Sequence, residues 1–309
     1  MLSKIGTLPL ITGIGDDCAV LRARSDMDLL VTTDFSLEGV HFRRDWHPSA
    51  SVGHRCLARG LSDIAAMGGE PAAAFLSLAV PVDLPQSWTE GFLKGFLRLA
   101  REFGVTLAGG DTAQSQNGVL ADVVVLGSVP RGEAILRSGA RPGDRIYVTG
   151  TLGGSAAAIK LLRANKKLAV GDLERHFFPM PRVAPGEKLR SAGFLTSMID
   201  TSDGLSTDLS HICERGEVGA ELWATVIPRA RVGGAAKLVA LELALHGGED
   251  YELLFTASRR SRVPSLLEGI PITCIGEITR RKQMFLIDEN GSRSVLKPHG
   301  WEHFRSRSS

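Results

Sequence analysis

The sequence has little cysteine. Its four, Cys18, Cys56, Cys213 and Cys274, lie far apart in 309 residues and form no C-x-x-C pair. That spacing excludes a zinc ribbon and a disulfide scaffold. It points to a reducing compartment, the cytoplasm, with all four cysteines as small buried hydrophobes. An excess of either charge is also missing, since 36 Lys and Arg against 34 Asp and Glu leave a formal charge of +2. The basic residues are scattered apart from a short Arg/Ser tail at 305–309, so no nucleic-acid or membrane-surface partner is expected. No apolar run approaches the roughly 18 residues of a membrane span. The N-terminus lacks a charged-then-apolar signal pattern. The chain has no Walker-type loop with its lysine; the glycine loop at 150–155 matches neither that pattern nor the dinucleotide fingerprint and reads first as a tight turn. No Ser-His-Asp or Cys-His nucleophile arrangement is legible.

What is present is aspartate in a recurring setting. The blocks Gly13-Ile-Gly-Asp-Asp17, Thr32-Thr-Asp34, Ser62-Asp63, Gly109-Gly-Asp-Thr112, Asp200-Thr-Ser-Asp-Gly204 and Gly247-Gly-Glu-Asp250 place carboxylates beside Gly, Ser or Thr and next to apolar runs. One Gly-Asp pair is usually a turn. Several such blocks would repel one another on meeting unless cations joined them. Hard oxygen donors suit Mg²⁺, and without a P-loop lysine the charge of a phosphate substrate has to be offset chiefly by metal.

The hydrophobic pattern places these blocks on an alternating frame. Leu29–Thr33, Ala73–Val80, Val105–Ala108 and Asp122–Val129 read as strands, the first and the last of them buried, with Val105–Ala108 leading straight into the Gly-Gly-Asp turn. Segment 49–67 reads as a helix that buries a stripe containing Arg59 and Asp63, and 88–103 as a second helix with Phe92, Phe96, Leu99 and Phe103 on one face. The turn-rich stretch Ser138–Asp144 marks a boundary between residues 1–137 and 138–309. Beyond it, Arg145–Thr149, Met198–Asp200, Leu253–Thr256 and Ile272–Ile275 read as strands, Ala156–Leu162 as a helix and Pro179–Pro185 as a proline-rich connection. Ser202 and Asp203 sit where a helix cap belongs, ahead of the apolar positions Leu205, Leu209, Ile212 and Cys213. The fold class is α+β, in two α/β-type domains.

Read together, the blocks carry a resemblance. Gly13-Ile-Gly-Asp-Asp-Cys-Ala-Val20, Thr32 to Phe42 with Glu38-Gly-Val-His-Phe42, Leu61 to Gly68, Ala108 to Thr112, Arg137 to Asp144, Val148 to Gly153, Ile199 to Leu205 and Gly247-Gly-Glu-Asp-Tyr-Glu-Leu253 occur in one order over about residues 13 to 304. This arrangement resembles thiamine-monophosphate kinase, within the aminoimidazole-ribonucleotide-synthetase-like superfamily. The resemblance implies ATP-dependent phosphorylation of thiamine monophosphate to thiamine diphosphate by direct in-line transfer. It also implies an N-terminal ATP/Mg-binding and dimerisation domain, a C-terminal α/β domain, and a homodimer whose subunits share a β-barrel.

By position, the resemblance makes Asp17, Thr32, Thr33, Asp34, Asp63, Asp111, Asp200 and Asp203 ligands of several Mg²⁺ ions. It gives Gly110, Asp111, Arg137 and Ser202 to ATP, and His41, Glu249 and Trp301 to thiamine monophosphate. Asp34-Phe35-Ser36 departs from the family's Asp-Thr-Leu or Asp-Leu-Leu. The alternatives are another ATP-using member of the superfamily, or a non-catalytic module that binds magnesium nucleotide.

Overall fold

In the strand Met27–Leu37 the even positions Leu30 and Ser36 are buried, whereas Leu29, Val31 and Phe35 are 53%, 60% and 54% exposed. That period of two makes the strand a two-faced element with one side against a core, and not the buried strand that its apolar residues suggest, because it lies at the edge of its sheet. The computed structural model describes residues 9–12, 20–166, 169–233 and 237–300. It divides into two compact units, Met1–Ala134 with Phe177–Glu187 and Ile135–His176 with Lys188–Ser309.

The first unit holds β1 (Leu10–Thr12), β2 (Val20–Leu21), β3 (Met27–Leu37), α1 (Ser49–Ala66), β4 (Glu70–Pro81), α2 (Gln86–Glu102), β5 (Thr106–Ser115) and β6 (Leu120–Pro130). Its main sheet has the order β3-β6-β4-β5, with β4 and β5 parallel and the other pairs antiparallel. Helix α1 packs on β3, β6 and α2. Glycines let the helices approach closely: a Cβ on Gly53 would stand 1.9 Å from the Phe92 carbonyl oxygen, and one on Gly95 1.8 Å from that of Ala50. On another side of α1, the neutral ring of His54 donates from Nε2 to the Pro179 carbonyl at 2.8 Å, its pKa pushed down to about 4 by burial.

Two sequence expectations change here. Helix α1 is buried nearly all round, and Arg59 and Asp63 lie on its half-open stripe rather than on the buried one. The reason is that sheet, α2 and the Phe177–Glu187 stretch cover the other sides. Strand β5 does not stop at Ala108. It runs on through Gly109, Gly110 and Asp111, after a bulge opposite Ala74 and Phe75, so the Gly-Gly-Asp block is strand and not turn.

The second unit follows with β7 (Arg145–Thr149), α3 (Gly154–Arg163), α4 (Val170–Phe177), α5 (Val183–Ser191), β8 (Leu195–Asp200), α6 (Leu205–Gly216), β9 (Gly219–Trp223), β10 (Arg231–Val232), β11 (Lys237–Leu238), α7 (Leu241–His246), β12 (Leu253–Ala257), β13 (Leu266–Leu267), β14 (Ile270–Thr279), β15 (Met284–Ile287) and β16 (Arg293–Val295). Helices α4 and α5 overlap the stretch that packs with the first unit, and α5 occupies part of the expected proline-rich connection. The large sheet runs β16-β15-β9-β14-β7-β12-β8 and is antiparallel except between β15 and β9. Ile146, Val148, Leu209, Ile212, Leu254 and Ile275 form its core under α6. Fully burying such a side chain contributes about 1.5–3 kcal/mol, which is why α6 settles on this face.

Both units are mixed α/β, as the pattern of the sequence requires. No closed barrel is found among the described residues, and β3 is an edge strand. No helix there is long and apolar enough to cross a membrane.

Candidate functional site

In the first unit, alternation along β3 separates the Thr-Thr-Asp block onto two faces. Thr32 and Asp34 share the inner side with buried Leu30 and Ser36 and meet the half-open stripe of α1. The Thr32 hydroxyl donates to Asp63 Oδ2. Asp34 lies against Asp63, and its carboxyl is pushed up to about 7, first by burial and then by the Asp63 charge, with Arg59 opposing the rise. Arg59 also donates from Nη1 to the Phe35 carbonyl at 3.2 Å. Gly60 makes the approach of helix to sheet possible, because a Cβ there would stand 2.5 Å from Val125 Cγ2.

Thr33 points the other way and donates to Asp122 Oδ1 at 2.8 Å. The register then carries one row across the sheet, Phe35 beside Asp122, Asp122 beside Ser77 and Ser77 beside Asp111. Asp111 is exposed, and its Oδ1 accepts the Thr112 amide at 2.8 Å. Its neighbour Gly110 has φ +153°, and a Cβ there would stand 2.0 Å from the Leu76 carbonyl oxygen, so only glycine fits. The departure at Asp34-Phe35-Ser36 is divided in the same way: Phe35 lies on the exposed face, while Ser36 is buried beside Cys56. His41 sits in the loop after β3, where Nδ1 accepts the Leu37 amide at 3.0 Å. Glu38 clamps that loop by accepting Arg44 Nε at 2.6 Å and the Val119 amide at 2.9 Å.

The second unit presents another carboxylate group where β8 ends at Asp200, which is 3% exposed. The turn from Thr201 to Gly204 lies under the Gly247–Tyr251 loop. The Glu249 amide donates to the Ser202 carbonyl at 2.8 Å and the Tyr251 amide to the Thr201 carbonyl at 3.0 Å. Glu249 and Tyr251 adopt left-handed backbone, φ +67° and +51°, which costs about 1–3 kcal/mol each and marks a loop held by its surroundings. Asp203 is not the expected helix cap. Gly204 holds the cap position of α6, and Asp208, one turn into that helix, accepts the Asp203 and Gly204 amides. Burial, then the charges of Asp200 and Asp203, push the Asp208 carboxyl well above its ordinary range. Ligand atoms of Asp203, Asp208 and His211 lie within 4.8 Å of one another.

The glycine loop at 150–155 is filled from within. Asp250 accepts the Gly153 amide at 2.6 Å and the Ser155 amide at 3.2 Å, so its carboxylate occupies the start of α3. Burial pushes Asp250 up to about 7. Arg137 stands exposed in a short 3₁₀ turn, Arg137–Gly139, and Ser202 is half-buried. Asp17 and Trp301 lie outside the described residues.

The structure thus joins Thr32, Asp34 and Asp63 in one group, links Thr33 by a hydrogen bond to Asp122 in the row that leads to Asp111, and places Asp200, Ser202, Asp203 and Glu249 around one turn. Sequence reasoning missed Asp122, whose place at the start of an apolar strand was a signal, and Asp208, whose signal was an aspartate on a helix face with Leu205, Leu209 and Ile212. The donors are carboxylate and hydroxyl oxygens, and burial, then neighbouring like charges, raises the Asp34 and Asp208 carboxyls. This set fits a hard divalent cation such as Mg²⁺.

Known proteins share this fold. Residues 15–129 match the family model of the AIR synthase related protein N-terminal domain, and residues 141–289 that of the C-terminal domain. The class is therefore the two-domain AIR-synthase-related α/β fold. Thiamine-monophosphate kinase from Escherichia coli (strain K12) is 38% identical over 305 residues, covering 94% of this chain and 91% of that protein. The crystal structure of thiamine-monophosphate kinase from Stenotrophomonas maltophilia K279a superposes with TM-score 0.80 at 34% identity, covering 92% of each chain. A structure of AaThiL complexed with AMPPCP and TMP also gives TM-score 0.80, at 29% identity over 98% of this chain and 93% of that one. The chain belongs to the thiamine-monophosphate kinase family.

Proposed function

We propose that this chain transfers a phosphoryl group from ATP to thiamine monophosphate, giving thiamine diphosphate and ADP. The observation that carries the reading is the Thr32–Asp34–Asp63 group, an oxygen-only cluster of like charge, in a chain whose relative binds an ATP analogue and TMP. Asp34, Asp63, Asp111, Asp200 and Asp203, with Asp17 and the Thr32 and Thr33 hydroxyls, would hold Mg²⁺. When bound, Mg²⁺ offsets the charge of the phosphates and of the transferred group. Gly110, Asp111, Arg137 and Ser202 contact ATP, and the bare backbone at Gly110 lets a phosphate approach the strand. His41, Glu249 and Trp301 orient thiamine monophosphate, the indole facing the cationic thiazolium. An oxygen of the acceptor phosphate attacks the γ-phosphorus as its bond to the ADP oxygen breaks. No enzyme side chain forms a covalent bond.

The reading includes a homodimer. Leu29, Val31 and Phe35 form an exposed apolar row on the edge strand β3, which supports pairing of that face with a second copy in a shared barrel. It assigns nucleotide binding and dimerisation to residues 1–137, a C-terminal α/β domain to 138–309, a cytoplasmic setting, and no nucleic-acid partner.

The test is ADP production with Mg²⁺ and ATP, with and without thiamine monophosphate. ADP that depends on thiamine monophosphate, with thiamine diphosphate as co-product, is the expected result. Binding of magnesium nucleotide without that dependence would move the assignment to another substrate of the superfamily or to a non-catalytic module.

A further inference from the structure

We infer that Asp208 is a positioning residue: its buried carboxylate holds the two amides that fix the Asp200–Gly204 turn and so aims Asp200 and Asp203 at a divalent cation. The inference rests on the reading above that Asp200 and Asp203 are cation ligands.

The turn is braced from two sides. Its carbonyls at Thr201 and Ser202 are held by the Tyr251 and Glu249 amides. Its amides at Asp203 and Gly204 are held by Asp208 Oδ2, at 3.2 and 2.9 Å. Gly204 cannot brace itself with a side chain, since its φ is +113° and a Cβ would stand 2.9 Å from the His246 backbone. Without Asp208 the Asp203 and Gly204 amides lose this acceptor, and the turn that carries Asp203 keeps only its carbonyl-side brace from the Gly247–Tyr251 loop.

The brace needs an acceptor oxygen in this place, which a carboxylate or a side-chain amide supplies. Asp208 is 1% exposed, is paired with no Lys or Arg among the described residues, and stands beside Asp203. The position in the first turn of α6 favours negative charge through the helix dipole, so the carboxylate is held where it can act on the turn.

Mn²⁺ binding to the whole chain, followed by electron paramagnetic resonance, tests this without relying on turnover. Asp203→Ala first identifies the Mn²⁺ that depends on this turn; a titration indistinguishable from wild type there overturns the cation reading itself. Asp208→Ala is expected to weaken that same Mn²⁺ about tenfold or more, and to raise the Mg²⁺ concentration needed for activity more than KM for ATP. Asp208→Asn, whose amide oxygen still accepts both N–H groups, is expected to stay within about threefold of wild type. Wild-type Mn²⁺ affinity in a folded Asp208→Ala chain overturns the inference. Loss in Asn equal to that in Ala also overturns it, because Asp208 would then act through its charge as a ligand. If the alanine variant does not fold, hydrogen exchange on the wild type decides: protected Asp203 and Gly204 amides support the bracing, and freely exchanging amides refute it.

Discussion

Replacing Asp34 by Asn should make the metal-free protein more stable, although it removes a residue of the proposed site. Burial and Asp63 raise the Asp34 carboxyl from 3.8 to about 7. The folded chain therefore keeps a proton that the unfolded chain releases. The stabilisation from that proton is complete below the unfolded pKa of 3.8 and is lost as pH rises through about 7. About three pKa units correspond to roughly 4 kcal/mol at most. The group is half-open to water, so screening reduces this to about 2–3 kcal/mol. An amide in its place carries no charge to desolvate. In excess EDTA at about pH 8, Asn should raise Tm by roughly 5–10 °C in a unit of this size, and at about pH 4 the gap should close. Mg²⁺ should reverse the order, because cation binding to the native state stabilises the wild type and less so the variant. Thermal unfolding by circular dichroism at the two pH values, with EDTA or Mg²⁺, measures all four quantities. Equal Tm for both proteins in EDTA at about pH 8, or equal stabilisation of both by Mg²⁺, would refute the argument.

The other expectations concern turnover, the acceptor and assembly. Asp111→Asn should lower kcat by about 100-fold or more with Tm unchanged, since the side chain is exposed and its loss costs charge rather than packing; retained activity removes Asp111 from the metal site. Trp301→Ala should raise KM for thiamine monophosphate about tenfold with little change for ATP, and equal changes for both substrates would mark a structural tryptophan. Val31→Lys, which puts a charge in the middle of the exposed β3 row, should yield monomers by light scattering coupled to size exclusion; an unchanged dimer would place the interface elsewhere.

Much of the protein was legible because its signals are local. The apolar face of α2 and the Gly-Asp blocks are set by neighbouring residues, and motif order alone carried the family, whereas the open face of β3 was not legible because Leu29, Val31 and Phe35 are as apolar as a buried strand. The outcome differed where distant chain segments decide. Arg59 and Asp63 recur at helical spacing with apolar residues, as a buried stripe does, yet they are the open part of α1 because three other elements cover its remaining sides. Gly109 and Gly110 look like a turn, yet β4 pairs with them and draws them into a strand. Asp203 precedes a helix as a cap does, yet Gly204 takes the cap position, where a Cβ would stand 2.9 Å from the His246 backbone far along the chain, and Asp208 takes the amides. Composition and spacing determined which donors exist, their oxygen chemistry and their order along the chain. Tertiary packing alone decided which carboxylates share a face and which are pushed towards neutrality, since both depend on desolvation and on contacts between residues far apart in sequence.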